Sequence, residues 1–268
     1  MPSIVIIGGG PAGLSAAIYA ARANVQATVL YKDGGALGKT DKIENYFGFP
    51  EALTGAELLA RGRAQAKRLG ARLVQTEAIG FEYAENGFTV KTTDGAFPAN
   101  AVILATGAPR AVPPITGIAD FEGRGVSYCA VCDAFFYRGK SAAVLGQGEY
   151  ALEEARVLLP VAGSVTLLTN GSEPPAALPA GLAVDTRPVT AVEGKDKVAR
   201  VAFTEGEPLA VDGVFIAYGT AGSSDFARKL GAQLDGNKIK TDTSMATAVP
   251  GLFAAGDCTG GLLQVAKA

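Results

Sequence analysis

The sequence predicts an α/β protein containing two Rossmann-like nucleotide folds, and three features predict it. Near the N-terminus a short apolar run, Ile4–Ile7, ends in Gly8-Gly9-Gly10-Pro11-Ala12-Gly13 and passes into an alanine-rich helix. Downstream the layout returns as Ala142-Ala143-Val144-Leu145, then Gly146-Gln147-Gly148-Glu149-Tyr150-Ala151, then another helix. Between the two copies Pro109, Pro113 and Pro114 stiffen a crossover of the kind that separates domains.

Composition agrees with that class and removes others. The 268 residues are 48 % hydrophobic and 19 % charged, enough for two cored domains. The net charge of −2 and the small, scattered basic spots argue against a nucleic-acid partner. No apolar run reaches the ~18–20 residues of a membrane span. The chain enters a strand at Ile4 without a basic leader, so no export and a cytoplasmic location are expected. There is no histidine, which excludes Ser-His-Asp and Cys-His nucleophiles and a proximal-His haem. Three cysteines are too few for a Cys₄ zinc site or a four-cysteine cluster within one chain, and no metal is expected.

The elements follow in order. Strand Ile4–Ile7, the glycine turn, helix Leu14–Ala23 capped near Asn24, and strand Ala27–Tyr31 form a β-α-β unit. That context turns a glycine pattern into a dinucleotide site, because the backbone comes close to a pyrophosphate at the helix N-terminus. Thr54-Gly55-Ala56-Glu57 has the spacing of a capping box and starts a helix to Leu69. Asn86-Gly87 between Phe81-Glu82-Tyr83 and Phe88-Thr89-Val90 signals a hairpin. Strand Val102–Leu104 leads into Ala105-Thr106-Gly107. Past the crossover come helix Leu152–Leu159 and strands Val165–Leu168, Val198–Phe203 and Val214–Ala217. An extended return, Lys238–Thr243, and the stretch Phe253-Ala254-Ala255-Gly256-Asp257-Cys258 follow. The last helix starts near Gly261, and it is expected to run beyond the final residue.

The chemistry concentrates in Cys129-Ala130-Val131-Cys132-Asp133. Two thiols one helical turn apart can close a disulfide; one attacks a partner disulfide and the other resolves the mixed intermediate. With no metal option and no export signal, the pair reads as redox-active. Asp133 is placed to carry a proton to or from the departing thiolate. Cys258 reads as a small buried filler.

This order of motifs resembles the low-molecular-weight flavin thioredoxin reductase family over essentially the whole chain. The matching stretches are Gly8–Gly13, Glu44-Asn45-Tyr46-Phe47-Gly48-Phe49-Pro50, Ala105-Thr106-Gly107, Cys129–Asp133 and Ala255-Gly256-Asp257. The resemblance implies two FAD/NAD(P)-type domains with the second inserted in the first. A discontinuous FAD domain would comprise residues 1–110 and 243–268, and a dithiol-bearing central domain residues 111–242. It implies a homodimer. It further implies that Gly8, Gly10, Pro11, Ala12, Gly13, Gly38, Asn45, Thr106, Gly107, Gly256, Asp257, Gln264 and Val265 hold FAD. Asp33 is read either as a ribose ligand or as a turn residue before Gly34-Gly35. By the same resemblance Cys132 faces the flavin, Cys129 attacks thioredoxin and Asp133 is the acid.

The second glycine turn departs from the pattern. Glu149 and Tyr150 are expected to put a charge and a ring where a pyrophosphate would sit. After Val165–Leu168 the chain reads Thr169-Asn170-Gly171-Ser172-Glu173-Pro174-Pro175, with no arginine for a 2′-phosphate and no acid at the strand end for a ribose. The altered turn resembles the ferredoxin-dependent flavin thioredoxin reductases, which implies ferredoxin as electron donor, with Arg138 and Lys140 near the dithiol as basic docking residues. Three alternatives stay open: an NAD(P)H-dependent enzyme with unusual binding, a diflavin-linked disulfide oxidoreductase, and a flavin redox sensor without turnover.

Overall fold

Two parallel sheets carry the structure. The computed structural model describes residues 1–107, 113–219, 221–260 and 265–266. In chain order the first elements are β1 (Ser3–Ile7), α1 (Pro11–Arg22), β2 (Gln26–Tyr31), α2 (Gly55–Arg68) and β3 (Arg72–Gln75). Next are β4 (Ala78–Ala84), β5 (Gly87–Thr92), β6 (Gly95–Ala99) and β7 (Ala101–Leu104). The middle of the chain forms β8 (Val126–Ser127), α3 (Ala130–Asp133), β9 (Ser141–Gly146), α4 (Glu149–Leu158), β10 (Ser164–Leu168) and β11 (Leu182–Asp185). It continues through β12 (Val189–Gly194), β13 (Val198–Phe203), β14 (Leu209–Ala210) and β15 (Gly213–Ala217). The return comprises α5 (Ser223–Lys229), β16 (Leu234–Asp235), β17 (Lys238–Ile239) and β18 (Leu252–Ala254).

The chain splits into two units, Met1–Arg110 with Gly222–Ala268, and Ala111–Ala221. In the first, a parallel sheet of order β18-β7-β1-β2-β3 stands beside the antiparallel sheet β4-β5-β6. Register is set by apolar runs: Ile6 pairs with Val29 on one side and Ile103 on the other. Buried on both faces, such strands need no alternation. Ile6, Leu14, Ala17, Val29, Leu59 and Ala66 belong to one buried cluster under α1 and α2. Small residues bring those helices close: a side chain on Gly62 would meet Leu14 Cδ1 at 3.1 Å. The capping box forms, with Glu57 N donating to Thr54 Oγ1 (3.1 Å) and Thr54 N to Glu57 Oε2 (2.7 Å). Asn24 sits just past α1 at φ 57°, the left-handed conformation that ends helices.

The return to the first unit comes earlier than the sequence reading placed it, at residue 222 rather than 243. The reason is α5, which the sequence did not announce. Its Phe226 packs edge-on against Phe81 of β4 at 4.9 Å between centroids, and Tyr83 Oη donates to Leu230 O at 2.6 Å. Ser223 also exchanges hydrogen bonds with Thr106 through both backbone and side chain. The expected strand to Thr243 is shorter, ending at Ile239.

In the second unit the sheet order is β11-β10-β9-β15-β8, all parallel, with an antiparallel β12-β13-β14 sheet. Leu145, Leu168, Val201, Val214 and Ile216 share its buried cluster. Among the described residues no helix is long and apolar enough to cross a membrane.

Candidate active site: a nucleotide cradle and a disulfide

In the first unit β1 delivers the chain into a glycine turn at the start of α1. Gly8 and Gly13 are required by the protein itself: a side chain on Gly8 would strike Ala105 O at 2.1 Å, and one on Gly13 would strike Gly8 O at 1.9 Å. Gly10 is different. Its φ of −82° suits any residue, and an added Cβ would meet nothing within 4 Å. No side chain caps α1, and Pro11 occupies its first turn. The amides of Ala12 and Gly13 are thus offered outward at the positive end of the helix.

The turn opens on a cleft of about 410 Å³ in the same unit. It brings together Pro11, Ala12, Asn45, Gly107, Gly256, Asp257 and Val265 from four separate stretches of sequence. Thr40, Lys42 and Tyr46 line it too, and the sequence reading gave them no role; loop residues of mixed chemistry carry no periodic signal. Gly38 closes a tight turn, its N–H donating to Gly34 O at 2.9 Å. Thr106 is not among the lining residues; its hydroxyl is spent on Ser223 (2.7 Å). The Asp33 carboxylate accepts from Gly35 N at 2.7 Å, a turn contact, and Asp33 is not among the residues that line the cleft. Gln264 and the helix start near Gly261 lie outside the described residues. Behind the cleft Cys258 is buried, donating to Ala255 O at 3.2 Å, and burial raises its thiol pKa.

The second unit carries Cys129 and Cys132 as a disulfide at the start of α3. Cys132 N donates to Cys129 Sγ at 3.2 Å. Cys129 is buried, at 3 % exposure, whereas Cys132 is exposed. Asp133 accepts a 2.6 Å hydrogen bond from Ser127 Oγ, which in turn accepts from Cys129 N at 3.1 Å. Glu154 of α4, 1 % exposed, accepts from Ala130 N at 2.7 Å. Neither Ser127 nor Glu154 was singled out from sequence. Ser127 lies two residues before Cys129, near enough to have been weighed. Glu153-Glu154 looks like any solvated helix face.

The altered glycine turn also differs from its reading in one respect. The Tyr150 ring is not at the surface but inside the unit, 1 % exposed. Helix α4 begins here, and residue 150 falls on the face that packs inward. Glu149 does stand at the turn, where it pairs with Arg156 at 3.5 Å. Gly146 is required by packing, since a Cβ there would meet Ala217 O at 2.1 Å, and Gly148 has φ 80°. After β10 the chain closes on itself: Thr169 Oγ1 donates to Ser172 O, and Asn170 Oδ1 accepts from Val189 N. One arginine, Arg187, follows β11, whose end lies beside this turn through Thr169 N to Asp185 O (3.1 Å). Its guanidinium is already engaged by Asp185, by Glu205 O and Glu207 O, and by the Phe203 ring at 3.9 Å.

The profile of the pyridine nucleotide-disulphide oxidoreductase family matches residues 2–268. The chain belongs to this family. Within this family, a thioredoxin reductase of Aquifex aeolicus is 39 % identical over 95 % of this chain and 84 % of its own length. The crystal structure of the atypical thioredoxin reductase TRi from Desulfovibrio vulgaris Hildenborough superposes with a TM-score of 0.92 at 42 % identity, covering 100 % of this chain and 93 % of that one. A ferredoxin-flavin thioredoxin reductase from Clostridium acetobutylicum gives 0.67 at 30 % identity, over 99 % and 92 %. These relatives bear out the resemblance carried by the motifs and the α/β class with Rossmann-like domains. FAD is the cofactor of this flavoprotein family. The residues fit it: Gly10, which does not itself line the cleft, leaves room that no protein atom fills, and no side chain caps the helix that starts beside it, whose Pro11 and Ala12 do line the cleft.

Proposed function

We propose that this protein is an FAD-dependent thiol–disulfide oxidoreductase that reduces thioredoxin through Cys129–Cys132, with reduced ferredoxin as the electron donor. The observation that carries the reading is the contrast within one chain. Both glycine turns leave open space at their second glycine, but the one in the unit with the redox pair carries the Glu149 carboxylate, and the arginine near it, Arg187, is engaged by Asp185.

Gly8, Gly10, Pro11, Ala12 and Gly13 would hold the pyrophosphate, and Asn45, Gly107, Gly256, Asp257 and Val265 the rest of the group. Bound FAD supplies an electron pair to the disulfide and can itself be reduced one electron at a time. With two electrons and two protons the Cys129–Cys132 bond opens to a dithiol. Cys129 passes its proton to Asp133 and attacks one sulfur of the thioredoxin disulfide as thiolate. That disulfide breaks, and its leaving sulfur takes a proton from Asp133. Cys132 loses its proton and attacks the mixed disulfide at Cys129, reforming the original bond, while the released thioredoxin sulfur takes up that proton to give reduced thioredoxin. Ser127 holds Asp133 beside the pair through its hydroxyl (2.6 Å). Cys132 would be the flavin-side sulfur. The burial of Cys129 means its sulfur must emerge once the bond opens.

The donor assignment rests on what the second turn lacks. A pyrophosphate there would meet the Glu149 carboxylate, and Arg187, the arginine beside the strand end, is fully engaged. Arg138 and Lys140 are exposed in the same unit as the dithiol and are the basic residues proposed to receive an acidic ferredoxin. A cytoplasmic homodimer belongs to the same proposal and is supported by the family resemblance.

The test is anaerobic. Purified flavoprotein is mixed with reduced ferredoxin, NADPH or NADH, and loss of the visible flavin absorbance is followed, then oxidised thioredoxin is added. Ferredoxin is expected to bleach the flavin and sustain thioredoxin reduction. Rapid bleaching by NADPH would overturn the donor, absence of turnover would favour a sensor, and two flavins per chain would favour a diflavin enzyme.

A further inference from the structure

We propose that Glu154 is a positioning residue for the dithiol and that, by capturing the Ala130 amide, it keeps the Cys129–Cys132 pair strongly reducing. The proposal rests on the redox reading of that pair given above.

Buried acids in helix interiors are costly unless hydrogen-bonded, and Glu154 of α4 is buried at 1 % exposure. Its Oε2 accepts from the N–H of Ala130 at 2.7 Å. Ala130 is the first residue of α3 and lies directly between Cys129 and the turn that carries Cys132. Amides at the start of a helix are the donors that stabilise a cysteine thiolate and so favour the reduced form of such pairs. Two of those amides have assigned partners here. Cys132 N donates to Cys129 Sγ at 3.2 Å, and Ala130 N is taken by Glu154. Ala130, directly after the capping Cys129, does not itself reach that sulfur, but Glu154 offsets the positive end of its amide beside the Cys129 thiolate and pins the backbone there. Ser127 pins the other side through Cys129 N (3.1 Å). The reduced pair is left less stabilised and passes its electrons on more readily.

The test compares two variants whose charge and reach differ in opposite ways. Glu154→Gln keeps an acceptor oxygen at the same reach and removes the acid. Glu154→Asp keeps the acid and withdraws it by one methylene. Each purified flavoprotein is equilibrated at pH 8 with dithiothreitol of graded redox state. Dithiothreitol closes to its cyclic disulfide and gives up two electrons; the Cys129–Cys132 bond breaks as it receives them, one sulfur taking a proton and the other left as thiolate. Free thiols are alkylated and the intact protein is weighed.

Glu154→Asp is expected to shift the equilibrium toward the dithiol by about tenfold, equivalent to about 30 mV. Glu154→Gln is expected to stay within about threefold of the parent (about 15 mV). An unchanged equilibrium in Glu154→Asp overturns the proposal. So does a shift in Glu154→Gln as large as that in Glu154→Asp, because charge rather than capture of the amide would then be responsible. The titration uses neither ferredoxin nor thioredoxin. If the parent protein fails to reduce thioredoxin, the functional reading falls while this result stands.

Discussion

Two strand-to-helix turns in this chain share a glycine signature and have different reasons for it. At the first, Gly10 has an ordinary φ of −82° and open space around it, so neither backbone nor packing asks for glycine there. At the second, Gly146 is packed against Ala217 O and Gly148 needs its positive φ of 80°. The first glycine points to a missing neighbour, and the second pair is explained by the fold. An added Cβ meets the same things in both turns, a strand carbonyl at Gly8 and Gly146 and open space at Gly10 and Gly148; what separates them is the positive φ of Gly148 and the Glu149 carboxylate beside it. On the proposed function the labour divides accordingly: the first unit would hold the cofactor, and the second presents the disulfide.

The largest test of that division is Cys132→Ser. Thioredoxin reduction is expected to fall at least about 1,000-fold while FAD remains bound at parental stoichiometry. Flavin loss in this variant would show that the units do not divide the work. The same variant should trap a mixed disulfide with thioredoxin through Cys129, and Cys129→Ser should not; the reverse would exchange the two roles, as their exposures alone would have it.

Next in size is Gly10→Val. The side chain has room in the protein, so the apoprotein should fold with a far-ultraviolet spectrum and melting temperature near the parent's. FAD affinity should fall about 100-fold, some 2.7 kcal/mol. Undiminished affinity would mean that the space outside Gly10 is not where the cofactor sits.

Much of the architecture was legible because it is local. Apolar runs gave β1, β2, β7, β9, β10 and β15, and Thr54 with Glu57 gave the start of α2. The cleft was legible in part: Asn45 and Asp257 were found through short motifs, and Tyr46 stood in one of them without being given a role, whereas Thr40 and Lys42 converge on the cleft only in three dimensions. What stayed hidden depended on distant partners. Helix α5 earns its place in the first unit through Phe81, Tyr83 and Thr106, more than a hundred residues away in sequence. Tyr150 looked like an obstruction because its sequence position names a turn, and only helix phase tells which way the ring points. Glu154 was silent for the same reason.

A smaller effect sharpens the second half of the comparison. Gly148→Ala forces a side chain into a conformation that is essentially reserved for glycine, at a cost of about 1–3 kcal/mol. The midpoint of denaturant unfolding should drop accordingly, while flavin content and thioredoxin turnover stay parental. Lost turnover with unchanged stability would reveal a ligand at the second turn after all.

The smallest effect concerns the salt bridge that occupies Arg187. Side-chain hydrogen bonds from Arg187 hold the Asp185 carboxyl below its usual pKa. A carboxylate depressed in the folded state contributes stability above its unfolded pKa of about 3.9 and loses it as pH falls through the folded value. Asp185→Asn should therefore melt lower than the parent at pH 7, by about 2 °C, and the gap should close as the pH falls below about 4. The same variant removes the ion pair from the guanidinium beside the turn after β10, leaving it on Glu205 O and Glu207 O, and so tests whether the pair keeps that arginine from a 2′-phosphate. If flavin bleaching by NADPH remained absent in Asp185→Asn, the ion pair alone would not be what bars the nucleotide, leaving Glu149 at the turn and the carbonyls that hold Arg187. If bleaching appeared, the bridge would be the barrier, and the second turn would differ from the first by an ion pair rather than by its backbone.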